Sequence, residues 1–313
     1  MKITDIRNKD YVSIDNTLFL AVISDDHEQD MVKCWLRYLR TENGMKKLTT
    51  QEASRFMTLN YPEFLFHSTY ADNELHGVPL NKIDKVYSAR TFPQILKTNI
   101  NLDNKQADAL DIINLFIQQN VEKNNIGITG SLLINAQSEQ SDIDLLIYGR
   151  EHFFKTRDII RQLMKNGLVH PLDKDDWRKA YQRRDCSLDF ESYLFHEKRK
   201  FNKFKYHKTK VDISMIPDRK QQVNDRHSYK KSGLMTIKAI ISGDQYAFDN
   251  PARYYLDHEQ IQEVVVYTAT YVGQAKKNEK IEASGVVEVA GEKRRLVVGT
   301  SREATAEYIK LIK

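Results

Sequence analysis

Asp142 and Asp144 flank Ile143 at the head of the apolar run Leu145-Leu-Ile-Tyr148, and ten residues separate them from the pair Gly130-Ser131. An acidic, apolar, acidic start to such a run reads as the beginning of a strand. Successive strand side chains point to opposite faces, so the two carboxylates share one face while Ile143, Leu145 and Ile147 line the other. Adjacent carboxylates repel unless a cation lies between them, and a hard divalent ion such as Mg²⁺ or Mn²⁺, held through oxygen, is the natural partner. Gly130 lets backbone approach a ligand closely, and Ser131 adds a hydroxyl. If Leu132 opens a helix, the amides at this turn face an anion. A phosphate cradle beside a metal-binding pair points to chemistry on a nucleotide.

Metal-assisted transfer of a nucleotidyl group calls for a further carboxylate, because two ions about 3.5–4 Å apart must share several oxygens. Asp212 has the right local grammar. In Lys210-Val-Asp-Ile-Ser-Met-Ile216 it alternates with Val211, Ile213 and Met215, again as on a strand. Asp189 and Glu191, in Cys186-Ser-Leu-Asp-Phe-Glu191, are the rival pair, and they also suit an ordinary solvated strand face.

These residues need a scaffold, and the periodicities supply one of α+β class. Residues 1–98 read as an N-terminal α+β domain. Leu18–Ile23 and Met31–Tyr38 suit two strands around the polar turn 24–30, and Thr49-Thr-Gln-Glu52 opens a helix that stops near Tyr61-Pro62. Asp25, Asp26, His27 and Glu28 in that turn read as a solvated loop rather than a metal cluster. Residues 99–225 read as the catalytic domain, a mixed β-sheet with helices. Its first helix carries Ala107, Leu110, Ile113 and Ile117 at helical spacing, and a later one spans 153–164 before Asn166-Gly167. Residues 198–216 read as a basic strand pair or an extended run that ends in Lys210-Val-Asp-Ile-Ser-Met-Ile216. Residues 232–313 are β-rich, with regularly spaced short strands that suggest a small barrel-like domain, closed by a helix over 302–309.

The chain has 313 residues, 41% hydrophobic, with a net charge of +5. That length accommodates two or three domains with proper cores, and the mixed charge excludes a disordered chain. Two cysteines without a pairing pattern suit a reducing cytoplasm. No apolar stretch reaches the roughly 18 residues of a membrane span, and the first residues lack the apolar core of a signal peptide. The mild charge means that any basic surface must come from clustering. The run 198–210 is such a cluster, with Lys203, Phe204, Lys205, Tyr206 and Lys208 at its centre. Cations track phosphates and aromatic faces stack bases, so the run suits a nucleic-acid contact. It equally suits a hairpin that buries its aromatics and solvates its lysines. Arg178, Lys179, Arg183 and Arg184 form a second basic group that suits a solvated helix face.

Gly-Ser, a spacer of about ten residues, Asp-x-Asp on a strand and a later lone Asp on a strand resemble the nucleotidyltransferase superfamily of DNA polymerase beta. The likeness covers about residues 100–217, and the whole chain resembles a mostly archaeal group of predicted nucleotidyltransferases. The resemblance implies that Gly130 and Ser131 hold the triphosphate of a nucleoside triphosphate and that Asp142, Asp144 and Asp212 ligate Mg²⁺ or Mn²⁺. It further implies that Asp212 helps deprotonate a hydroxyl acceptor. An RNA, tRNA-like, is the acceptor favoured by the basic run. A protein or small-molecule acceptor, or a non-catalytic nucleic-acid-binding role, are the alternatives.

Overall fold

The computed structural model describes residues 2–184, 186–223, 225–300 and 306–312. It comprises two compact units, one of Met1–Ser68, Asn73–His170 and Phe204–Asn224, the other of Thr69–Asp72, Pro171–Lys203 and Asp225–Lys313. The α+β class expected from the sequence is the class observed, with three sheets among the described residues.

The first unit opens with strands β1 (Tyr11–Ile14), β2 (Leu18–Val22), β3 (Met31–Thr41) and β4 (Gly44–Lys47), then helix α1 (Thr50–Asn60), then β5 (Leu65–Ser68), β6 (Asn73–Pro79) and β7 (Lys85–Tyr87). They form one antiparallel sheet in the order β5-β6-β3-β2-β1-β7, with β4 alongside β3. The unbroken apolar run of β2 has a reason. Leu18, Leu20 and Val22 enter one core with Val12, Leu36 and the α1 residues Ala53 and Met57. Phe19 and Ala21 enter another, on the opposite face, with Tyr11, Tyr38, Leu133, Ile134, Leu146, Tyr148 and Ile216. A strand buried on both faces cannot alternate apolar with polar. Helix α1 begins at the expected reciprocal cap: the Glu52 amide donates to Thr49 Oγ1 at 3.2 Å and the Thr49 amide to Glu52 Oε2 at 2.8 Å.

The turn read as a solvated loop is a polar hub instead. Asp25 accepts from Arg7 Nε at 2.9 Å and from the Asn8 amide at 2.6 Å, and buried Glu28 pairs with Lys33 at 2.8 Å. The sequence offers little sign of this, because Arg7 reaches Asp25 from eighteen residues away.

Helices α2 (Phe92–Lys97) and α3 (Asn104–Gln118) lead to β8 (Ile126–Thr129), the four-residue α4 (Gly130–Leu133), β9 (Ile143–Tyr148) and α5 (Arg150–Lys165). The buried stripe of α3 is Ala109, Ile112, Ile113 and Phe116, so Ala107, Leu110 and Ile117 lie at its flanks. Helices α6 (Lys174–Gln182) and α7 (Phe190–Lys200) follow, then β10 (Lys203–Tyr206) and β11 (Thr209–Ile216). The second sheet has the order β10-β11-β9-β8, with β9 and β11 parallel.

The other unit contains β12 (Lys230–Tyr246), β13 (Ala252–Asp257), β14 (Glu263–Val266), β15 (Lys280–Ala290), β16 (Lys293–Val298) and β17 (Tyr308–Leu311). The early part of β12 pairs with β15 and its late part with β13, so the pairings β12-β13-β14-β16-β15 return to β12 as a ring. Register shifts between Ile241 and Tyr246 mark where β12 departs from its straight ladder. The ring packs its core against Trp177 of α6 and Tyr193 and Leu194 of α7. Tyr308–Leu311 is a strand paired to β15, not the end of a helix, and residues 301–305 lie outside the described residues.

Candidate active site

The parallel register of β9 and β11 sets Asp144 directly beside Asp212 and Ile143 beside Val211. Register partners in neighbouring strands stand roughly 4.8 Å apart and point to the same face. The opposite face carries Ile143, Leu145, Val211 and Ile213, all buried, and their packing fixes which side the acids take. Asp142 lies just before β9. One step back along the same register its neighbour is Lys210, whose Nζ stands 3.4 Å from Asp142 Oδ1.

Helix α4 brings the Gly130-Ser131 turn to this pair. Gly130 has φ +70°, a conformation that disfavours side chains, and any Cβ there would collide with Asp144 Oδ2. The glycine therefore lets the carboxylate lie against the turn. Burial, and then the adjacent Asp212 charge, push the Asp144 carboxyl up to about 6; Lys9 opposes this, Asp142 adds to it, and Lys47 opposes it. Ser131 is nearly buried in the same turn.

The N-terminal sheet also faces this cluster, which the sequence did not disclose. The Thr129 hydroxyl, one residue before Gly130, donates to the Lys9 carbonyl at 2.6 Å. Tyr11 and Tyr38, ring centroids 6.4 Å apart, sit in the core shared with Leu133 and Ile134, and both feel the Asp144 charge. Lys47 is the register partner of Tyr38. No motif marks Lys9 or Lys47, and only long-range strand pairing carries them here.

The residues of the basic run are placed differently from one another. Lys198, Arg199 and Lys200 form the last turn of α7, where cations suit the carbonyl end of a helix, not a strand. Phe204 is fully buried with its ring edge-on to Phe116 at 6.2 Å, so it has no face to offer a base. Lys203 pairs with buried Glu197. Lys205 and Tyr206 are partly buried in β10, and Lys208 is exposed in the following turn. Asp189 caps α7, accepting from the Ser192 amide at 2.8 Å, and Glu191 lies in the same first helical turn rather than on a strand. Arg178 and Lys179 lie on α6, where Arg178 pairs with Asp175 one turn earlier.

Among the described residues, no three His, Cys, Asp or Glu side chains are gathered tightly enough as they stand to hold a metal ion. The donor chemistry nonetheless suits a hard divalent cation. Asp144 and Asp212 are in register, two oxygen-donor side chains on one face, and the missing Cβ of Gly130 gives Asp144 Oδ2 its place against the turn.

Residues 110–227 match the family model described as a nucleotidyltransferase domain, a span that runs from α3 past β11 and includes Gly130, Ser131, Asp142, Asp144 and Asp212. An uncharacterized protein of Methanocaldococcus jannaschii is 29% identical to this chain, over 98% of it and 99% of its own length. No solved structure matches. No helix among the described residues is long and apolar enough to cross a membrane. The matched segment, with the glycine–serine turn and the paired aspartates it contains, is a nucleotidyltransferase domain of the DNA polymerase beta-type superfamily.

Proposed function

We propose that this protein moves a nucleoside monophosphate from a nucleoside triphosphate onto a hydroxyl, with Mg²⁺ or Mn²⁺ held by Asp142, Asp144 and Asp212. The observation that supports this most is the register of Asp144 with Asp212 beside Gly130. A divalent ion bound there supplies positive charge at the α-phosphate and at the departing pyrophosphate. The chain's own groups do the rest. The amides of Gly130 and Ser131 and the Ser131 hydroxyl orient the polyphosphate, and Asp212 orients the acceptor hydroxyl and takes its proton. The new bond joins the acceptor oxygen to the α-phosphorus as the α–β bridging bond breaks, and pyrophosphate leaves.

An RNA end is the acceptor we favour, supported by exposed Lys208 and the adjoining Tyr206. Burial of Phe204 leaves that support resting on the cations and one tyrosine. Both cysteines are free thiols, which supports a cytoplasmic setting. The test is incubation with labelled nucleoside triphosphates, Mg²⁺ or Mn²⁺, and separate RNA, protein and small-molecule fractions. Label enters one fraction with wild-type protein and is lost with Asp144→Asn or Asp212→Asn. Undiminished transfer by both variants overturns the assignment, and the labelled fraction identifies the acceptor class.

A further inference from the structure

The matched nucleotidyltransferase segment begins at residue 110, yet two cations from well before it stand at its site. Lys9 adjoins the glycine–serine turn through its own backbone: its carbonyl accepts from Thr129 Oγ1 at 2.6 Å, and its amide donates to Val22 O at 2.9 Å. The backbone of Lys9 is thus fixed between the N-terminal sheet and the residue preceding Gly130. Lys47 ends β4. Met45, two residues earlier on the same strand face, packs onto the core that contains Leu133 and Ile134 of the turn region. Tyr38, the register partner of Lys47, belongs to that core too. Lys47 therefore projects from the face that meets α4 while its own side chain stays exposed. Lys46, its neighbour, points to the other face and pairs with Glu52 at 3.5 Å.

We propose that Lys9 and Lys47 of the N-terminal sheet bind the β- and γ-phosphates of the incoming nucleoside triphosphate, completing the cradle begun by Gly130 and Ser131. The inference rests on the nucleotidyl-transfer reading and adds to it where the terminal phosphates are held. Helix α4 has only four residues, so its dipole and few amides are a weak anchor for a polyphosphate carrying about four negative charges. Two lysines beside the turn supply the missing charge. The polyphosphate is favoured over an acceptor phosphate because Lys9 is tied to the residue next to Gly130, on the side of the amide cradle.

The test measures equilibrium binding of a non-hydrolysable nucleoside triphosphate, inorganic tripolyphosphate, a nucleoside monophosphate and a single-stranded RNA, all in Mg²⁺. Lys9→Gln and Lys47→Gln each weaken triphosphate and tripolyphosphate binding by about tenfold or more, and monophosphate binding by less than about threefold. Lys47→Arg restores affinity, and Lys46→Gln matches wild type. Because Lys47 is exposed, the Lys47→Gln and Lys47→Arg pair carries the test even if Lys9→Gln folds poorly. The inference is overturned if both glutamine variants bind triphosphate and tripolyphosphate like wild type while Asp144→Asn loses Mg²⁺-supported binding. It is equally overturned if they lose affinity only for RNA. If Asp144→Asn and Asp212→Asn also bind with undiminished Mg²⁺ dependence, the nucleotidyl-transfer reading falls with it.

Discussion

Asp144 and Asp212 are neighbours across parallel strands, and the fold holds these like charges together at a cost that Lys9 and Lys47 only partly offset. Asp144→Asn removes the repulsion without changing shape. The variant loses transfer activity by about 10²–10³-fold, yet in chelator it gains about 1 kcal/mol, a rise in Tm of about 2–4 °C. Mg²⁺ with a nucleoside triphosphate raises the Tm of the wild type and not of the variant. Thermal melts in chelator and in Mg²⁺ check both halves, and a variant destabilised in chelator contradicts the electrostatic account.

Gly130→Ala tests the turn itself. Its φ of +70° and the approach of Asp144 Oδ2 leave no room for a methyl group. The variant loses about 1–2 kcal/mol from backbone strain alone, and its activity falls by more than its stability does, because Asp144 must move. Urea midpoints set beside initial rates separate the two losses. Wild-type rates in a folded Gly130→Ala protein contradict the geometry.

Stability of the first unit falls in mild acid through His76. Its ring is buried, stacks on Trp35 at 4.3 Å and accepts from the Leu36 amide at 3.1 Å, and burial lowers its pKa to about 4. Between that value and about 6.5 the unfolded chain binds the extra proton, so stability is complete above about pH 6.5 and is lost as pH falls through 4, by about 2–3 kcal/mol. Asp10 pulls the other way, since burial raises its carboxyl to about 6. Comparing wild type with His76→Gln at pH 7, 5.5 and 4.5 isolates the histidine: the difference in unfolding free energy narrows as the pH drops. A constant difference removes His76 from the account.

Phe204 and Lys208 separate folding from acceptor contact. Phe204→Ala costs about 3–5 kcal/mol, because it empties a fully buried site against Phe116. Lys208→Ala leaves the Tm unchanged and weakens binding of a single-stranded RNA, with a shallower salt dependence. Filter binding at two salt concentrations checks this, and unaltered RNA affinity in Lys208→Ala removes the basic run from acceptor recognition.

In the other unit, Glu197 is buried between Lys200 and Lys203, which hold its carboxyl down at about 2 against the effect of burial. Glu197→Gln leaves two cations without their counter-charge and costs about 3–5 kcal/mol. A calorimetric trace checks it, and an unshifted transition for this unit rules it out.

Local signals were the legible ones. The Thr49–Glu52 cap, strands β2 and β3, the alternation around Asp212 and the spacing from Ser131 to Asp142 are written in neighbouring residues, and periodicity or capping reads them directly. What escaped depends on pairing between distant segments. Lys9 and Lys47 carry no motif and reach the site only because β1, β3 and β4 pack on α4. The aromatics of the basic run could not be sorted into buried and exposed until α3 supplied Phe116 as a partner for Phe204. Lys198-Arg-Lys200 looked extended because its charges mask the helical turn they end.

The core uniting Tyr11, Phe19 and Tyr38 with Leu146, Tyr148 and Ile216 joins the N-terminal sheet to the strands that bear the aspartates through one shared apolar interior. Loosening any of those early strands loosens the chemistry as well. A polypeptide trimmed to the family's customary boundaries would expose a raw hydrophobic surface, and substitutions far upstream can silence transfer without touching a reacting atom.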